Sequence, residues 1–359
     1  VQPTTIAGGA GGSYGSLVEG DLTVVEINLK LQRPWDQESL LSDHSVNWKG
    51  HDREALLASI RGGQNEEVKM LRHPEVRYEV TDHCNAECIM CPRDAHKLGR
   101  PHGIMDRRKF EKSIDEVVAL GCKQVVLTSF GEPLIDKRLE QKIAYVKSKG
   151  LRTYIISNAS LLTRSRAKSL IQAGLDELRV SYYGMRKESY EAVMVGLNFD
   201  VTMKNLADFL EVREELGSKR PRLELSWLEL PENEGDTEYF KEYWEPRADA
   251  IEVWKPHNFG DGRSYRQRYE EAAMKTTCGR PENGPLQIQW DGEVIPCCYD
   301  YNNIIVLGNA FNQPVLEILN GDKYRLLRKA HAEKKFELFP YCNQCDQLLP
   351  HADALVYTN

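Results

Sequence analysis

The chain has no long apolar run: nothing in it approaches the roughly 20 consecutive apolar residues that a membrane-spanning helix requires, and a soluble protein is expected. It has no basic excess either. With 47 Lys and Arg against 54 Asp and Glu, a net charge of −7 and an isoelectric point near 5.8, it lacks the cationic footprint by which proteins hold nucleic acid. A secretory signal and an even set of cysteines are both missing, so a disulfide framework is not expected. The nine cysteines instead point to metal-bound thiolates in a reducing compartment, the cytoplasm. The first residue is Val1 rather than Met, which leaves targeting unread. What the chain does have is length, 359 residues, and apolar content, 41%, enough to bury a sizeable core and fill more than one domain.

The cysteines fall into three groups: Cys84, Cys88 and Cys91 early, Cys122 alone, and Cys278, Cys297, Cys298, Cys342 and Cys345 late. The early three lie in CNAECIMC, just after a strand-like run at 76–81. Three thiolates on one tight loop can reach three irons of a [4Fe-4S] cube and leave the fourth iron open to a substrate or cofactor. The competing reading is a zinc knuckle, which needs a fourth ligand. His83, adjacent in sequence to Cys84, is poorly placed to close that tetrahedron.

Residues 1–20 are rich in Gly and Thr, a composition that cannot repay its ordering entropy, and are expected to be flexible. A strand-like LTVVEINLKL, a loop around Trp35 and a helical REALLASIRGG complete an N-terminal extension, 1–72. From Val76 short β-branched runs alternate with longer amphipathic ones. Strands are predicted within 76–81, 124–131, 152–160, 177–184, 222–230 and 250–257. Helical stretches at 107–121, 138–150 and 164–174 each end at a glycine suited to a left-handed cap. Six such units predict an α/β fold, a partial (β/α)6 TIM barrel over 73–265 with a parallel sheet and helices outside. Chemistry is then sought at the C-terminal ends of the strands.

Those ends read Phe130-Gly131-Glu132-Pro133, Ser157-Asn158 and Ser181-Tyr182-Tyr183-Gly184. Each alone is compatible with an ordinary strand-to-helix turn. Following CNAECIMC in this order, they resemble the radical S-adenosylmethionine (SAM) superfamily, with Met90 where that family usually has an aromatic and Phe130 where it usually has Gly. The resemblance implies that the open iron chelates SAM, whose reductive cleavage gives a 5′-deoxyadenosyl radical. It further implies that Gly131, Glu132 and Pro133 hold the SAM amino group, that Ser157 and Asn158 bond its ribose or carboxylate, and that Ser181 adds the next contact. A flavodoxin- or ferredoxin-type electron donor is implied as well.

The late cysteines space as Cys278, thirteen residues, Gly292, four residues, Cys297, then Cys342-x2-Cys345. This resembles the twitch subdomain, a shortened SPASM domain, and implies that Cys278, Cys297, Cys342 and Cys345 close a second, auxiliary [4Fe-4S] cluster within 266–359. A four-cysteine zinc ribbon is the alternative. LQIQWDGEVIPCC predicts a hairpin turning at Asp291-Gly292, followed by one helix over 315–334. Cys298 is read as a packing residue, a spare ligand or a hydrogen donor, and Cys122 as a buried filler.

Between the two units, 254–266 gathers Lys255, His257, Asn258, Asp261, Arg263 and Tyr265, a density of polar groups that suits a polar small molecule. Tyr182, Tyr183, Trp227 and Glu229 are expected at the same mouth. The chain resembles the 2-deoxy-scyllo-inosamine type of radical SAM dehydrogenases and the related aminocyclitol and sugar epimerases of antibiotic biosynthesis. The expected reaction is two-electron oxidation of an alcohol in a sugar or aminocyclitol, with the auxiliary cluster as acceptor. His257 or Lys255 would be the base, while Arg263 stays protonated and only binds. Epimerisation with Cys298 as hydrogen donor, maturation of a ribosomal peptide, and a non-enzymatic metal scaffold are the alternatives.

Overall fold

The computed structural model describes residues 40, 42–62, 67–93, 98–260 and 275–349. The expected strand at 22–31, the Trp35 loop and the substrate candidates Asp261, Arg263 and Tyr265 lie outside these residues. The REALLASIRGG stretch forms α1, Arg53–Gly62, with Leu56, Leu57 and Ile60 buried.

From Glu75 onward strands and helices alternate in the expected order. The strands are β1 (Glu75–Tyr78), β2 (Gln124–Leu127), β3 (Arg152–Ser157), β4 (Glu177–Ser181), β5 (Arg222–Leu228) and β6 (Ala250–Trp254). The helices between them are α2 (Arg107–Ala119), α3 (Leu139–Ser148), α4 (Arg164–Gln172), α5 (Lys187–Val193), α6 (Phe199–Glu215) and α7 (Thr237–Trp244). Helix starts are capped by side chains that satisfy otherwise orphaned N–H groups: Asp106 accepts from Lys109 N at 3.0 Å, Thr163 from Arg166 N at 3.3 Å and Asn198 from Val201 N at 2.9 Å. The chain leaves α2, α3 and α4 through Gly121, Gly150 and Gly174, all at positive φ. The six strands pair in parallel in the order β6-β5-β4-β3-β2-β1.

Alternation along each strand separates two faces. On the outer face Tyr78 meets Phe110 of α2 edge-on at 5.1 Å and shares a 2.8 Å hydrogen bond with Ser113, and Leu127, Ile155, Val180 and Leu225 are fully buried. The other face lines the barrel interior.

The C-terminal region holds α8 (Arg280–Asn283), β7 (Leu286–Ile288), β8 (Glu293–Ile295), β9 (Gly308–Asn309), α9 (Val315–Leu319), α10 (Asp322–Ala332) and α11 (Pro340–Asn343). The predicted hairpin is present as antiparallel β7 and β8. It grows from the barrel itself, because β7 runs parallel to β1 with Leu286 opposite Val76, giving one sheet of nine strands among the described residues. The single helix expected over 315–334 is two. Asn320 ends the first, donating to Leu316 O at 2.9 Å and to Val68 O at 2.8 Å while accepting from Val68 N at 2.9 Å. The break thus fastens residues ahead of the barrel to the C-terminal region, a bond joined by the Arg61–Asp322 ion pair between α1 and α10. No described helix is long and apolar enough to cross a membrane.

Candidate active site

The loop Cys84–Cys91 leaves the C-terminal end of the β1 line and is braced from the far side by the end of α5: Glu87 N donates to Val195 O at 2.8 Å and Ile89 N to Val193 O at 3.1 Å. Cys91 N closes the turn on Cys88 O at 2.9 Å, and Cys88 Sγ lies 3.6 Å from Met194 Sδ. None of the three is in a disulfide. Burial pushes the Cys84 and Cys88 thiols up, and Cys91 and Cys84 act on Cys88 in the same direction. No three His, Cys, Asp or Glu side chains among the described residues stand close enough to share a single ion, whereas a cube spreads its sulfurs more widely. A three-thiolate set on one loop fits the cube.

Gly131 stands where only glycine passes. A Cβ there would lie 2.2 Å from Thr81 O and 2.8 Å from His83 O, so the β2 end runs hard against the backbone that leads into the cysteine loop. Glu132 follows, with its N–H on His83 O at 2.8 Å. Its buried carboxylate accepts from Asn158 N at 2.7 Å, Ser157 Oγ at 2.8 Å and Leu134 N at 3.0 Å, and burial raises its pKa against those bonds. Pro133 opens the buried turn Pro133–Ile135. Asn158 Nδ2 donates to Asn85 Oδ1, between the first two cysteines, at 3.1 Å, and its Oδ1 accepts from Ser160 N at 3.0 Å and Ser160 Oγ at 2.7 Å. Of the residues expected to hold SAM, Glu132, Ser157 and Asn158 therefore form one network beside the cysteine loop. Within it Glu132 and Ser157 satisfy each other.

The inner face carries charge that the sequence reading passed over. Arg179 of β4 pairs with Glu224 of β5 and, at 2.8 Å, with Glu252 of β6. Its guanidinium lies 5.6 Å from the Tyr154 ring centre, and Trp254 Nε1 donates to Glu252 at 2.9 Å. Burial raises Glu224, with Arg179 opposing. These residues alternate with apolar ones in ELRVS, RLELS and AIEVW, and that alternation was the available signal. Higher on the same face the Tyr183 phenol is in hydrogen-bonding reach of Ser181 and Ser226 and close enough to feel Cys88; burial holds its pKa up. A second pair that sequence reading missed is Asp82 and His102: the buried Asp82 carboxylate meets His102 Nδ1 at 2.6 Å and accepts from Gly103 N at 2.8 Å.

Two mouth assignments are corrected. Trp227 is fully buried on the outer face, donating to Thr237 Oγ1 at 3.1 Å and stacking on Phe240 of α7 at 4.8 Å. Tyr182 is likewise outside, packed on Tyr190 at 5.2 Å and Trp244 at 5.8 Å. Strand alternation sends both away from the interior, while Ser181, Tyr183 and Ser226 face it. Glu229 lies just past the end of β5, half-buried, with its N–H on Trp254 O at 2.9 Å.

Beyond β6, Lys255 is exposed, whereas His257 and Asn258 tie the barrel to the late cysteines. His257 Nδ1 meets Gln347 Nε2 at 2.8 Å and Asp346 Oδ2 at 3.6 Å. Asn258 N donates to Asp346 at 3.0 Å, and Asp346 N returns a bond to Asn258 Oδ1 at 3.0 Å. An aromatic chain spans the rim: Phe130 to Phe259 at 6.2 Å, Phe259 to Tyr299 at 5.5 Å, and Tyr341 Oη donating to Tyr299 O at 2.7 Å. Cys278, Cys297, Cys342 and Cys345 act on one another electrostatically, and burial pushes the thiols of Cys297 and Cys342 well up and that of Cys345 to about 12. Four thiols gathered in this way fit a closed cube. Cys298 is half-buried beside them, and Cys122 is buried at the start of β2 with its Sγ on Gln124 O at 3.3 Å.

Residues 78–215 match the radical SAM superfamily, and residues 278–346 match SPASM, an iron-sulfur cluster-binding domain. This chain is a radical SAM protein with a SPASM domain. The first match encloses Cys84, Cys88, Cys91 and the strand-end network; the second opens on Cys278 and ends one residue past Cys345. SAM and [4Fe-4S] clusters are its cofactors, and the zinc readings fall away. Over 312 residues, 74% of this chain and 85% of the relative, it is 23% identical to the tungsten-containing aldehyde ferredoxin oxidoreductase cofactor-modifying protein of Pyrococcus furiosus. Its fold is similar to that of BtrN in complex with AdoMet and 2-DOIA (TM-score 0.50, 19% identity, 76% of this chain and 93% of that one). It is also similar to Streptococcus suis SuiB bound to the precursor peptide SuiA (TM-score 0.57, 14% identity, 76% and 69%).

Proposed function

We propose that this radical SAM enzyme oxidises an alcohol carbon of a polar small molecule, a sugar or aminocyclitol, to a ketone. When bound, SAM on the open-iron cluster supplies a hydrogen-abstracting radical, and the auxiliary cluster supplies an electron sink. The substrate carbinol carbon gives up its hydrogen atom, its hydroxyl loses a proton to a base, and one electron leaves for the sink, which a flavodoxin- or ferredoxin-type partner relieves. The observation that carries this reading is the seam between His257–Phe259 and Tyr299, Asp346 and Gln347. It sets the four late cysteines against the rim of the barrel. His257 is the proposed base, and Asp346 beside its Nδ1 would stabilise the imidazolium formed when it takes the proton.

The inner-face groups Tyr183, Ser226 and Glu252 are proposed to meet the substrate, and Asn158 and Ser181 to meet SAM. Epimerisation is the second reading, favoured by the half-buried thiol of Cys298 beside Cys297. The two separate by product mass when the reconstituted enzyme turns over cyclitols and amino sugars in deuterated water. A product two mass units lighter supports the dehydrogenase. One deuterium gained at an inverted carbon, abolished by Cys298→Ala, rejects it.

A further inference from the structure

We infer that Arg280 raises the reduction potential of the auxiliary cluster and so fits it to accept an electron. The inference extends the proposed oxidation, but it requires only that the late cysteines hold their cluster.

Arg280 is 4% exposed, in the first turn after Cys278. Gly279 adopts a left-handed conformation, φ 69°, that folds the chain back directly after the cysteine; only glycine takes it without strain. The guanidinium carbon lies 4.8 Å over the Tyr299 ring, and Nη2 donates to Gln347 Oε1 at 3.3 Å. Arg280 is two residues past Cys278, Tyr299 two past Cys297 and Gln347 two past Cys345, so these two contacts seat the guanidinium among the late cysteines.

Two carboxylates act the other way, Asp346 on Cys345 and Asp300 on Cys342. Asp346 is engaged by His257 and the Asn258 amide. Asp300 accepts from Ile304 N and Ile305 N, each at 2.7 Å. The guanidinium remains charged throughout. A cube on four thiolates is anionic and becomes more so on reduction. A permanent cation buried beside it, where screening by water is small, favours the reduced state.

The test uses the full chain, anaerobically reconstituted, in a background of Cys84→Ala, Cys88→Ala and Cys91→Ala so that the auxiliary cluster alone is observed. Its midpoint potential is followed by electron paramagnetic resonance in a redox titration. Arg280→Gln is expected to keep about four irons per chain and to shift the potential to more negative values, with Arg280→Lys staying near the parent. Gln347→Glu, which gives the guanidinium a carboxylate partner, is expected to shift it the same way and serves if the Arg280→Gln chain fails to load. An unchanged potential in a loaded Arg280→Gln or Gln347→Glu chain, or an equal negative shift in Arg280→Lys, overturns the inference. A failed alcohol oxidation, with these shifts intact, would count against the substrate reading alone.

Discussion

The backbone N–H of Asn158 donates to the Glu132 carboxylate at 2.7 Å, joining the ends of β2 and β3 before any cofactor is bound. With Ser157 Oγ and Leu134 N also donating to it, Glu132 is an acceptor for three buried donors. Glu132→Gln places an amide N–H against one of them. The expected loss is about 2 kcal/mol of stability, read by denaturing the cofactor-free chain, together with weaker SAM binding because Asn158 and Asn85 share the network. A cofactor-free variant as stable as the parent would leave Glu132 to act on SAM alone.

Trp227 and Tyr183 lie on opposite faces of the sheet, so their variants separate. Trp227→Phe removes the bond to Thr237 and is expected to cost about 1 kcal/mol of stability with KM unchanged. Tyr183→Phe removes a phenol within reach of Ser181 and Ser226 on the inner face. It is expected to lower turnover severalfold with little change in the melting temperature. A raised KM in Trp227→Phe would contradict the burial of its ring.

The six strands and the hairpin were legible because period-2 runs ending in Gly, Ser and Asn encode them locally. The cysteine loop was legible because its ligands sit within eight residues, Cys84 to Cys91. Trp227 and Tyr182 were misplaced because a strand end was read as uniformly facing the mouth, whereas alternation turns every second residue to the helices. The Arg179–Glu224–Glu252 cluster and the return of α8 onto the cysteines are contacts between distant segments, and no local pattern states them. The break at Asn320 depends on Val68, some 250 residues earlier in the chain, and is invisible to any window on the helix.

Three early and four late cysteines predict two cubes. Anaerobic reconstitution is expected to give about eight irons and eight sulfides per chain. The Cys84→Ala, Cys88→Ala, Cys91→Ala chain is expected to keep about half of that iron and lose SAM cleavage. Loss of all iron in this variant would mean that the late cysteines do not hold a cluster of their own.

Acid should loosen the C-terminal region through His331. Its ring is 5% exposed, edge-on to Phe336 at 5.2 Å, with Nδ1 3.2 Å from Thr277 Oγ1 and Nε2 unpartnered among the described residues. Burial, with Arg280 adding repulsion, lowers its pKa to about 4. Between that value and the ordinary one near 6.5, the unfolded chain binds a proton that the folded chain refuses, so folding stability falls as pH drops through this window. Above about pH 7 both states are neutral at this residue and the effect vanishes. His331→Gln removes the titration while keeping a polar group for Thr277. Relative to its own stability at pH 7.5, the variant is expected to lose about 2 kcal/mol less than the parent on going to pH 5, measured by denaturant unfolding at each pH. Parallel pH profiles for the two chains would show that His331 takes up its proton in the folded state as readily as in the unfolded one.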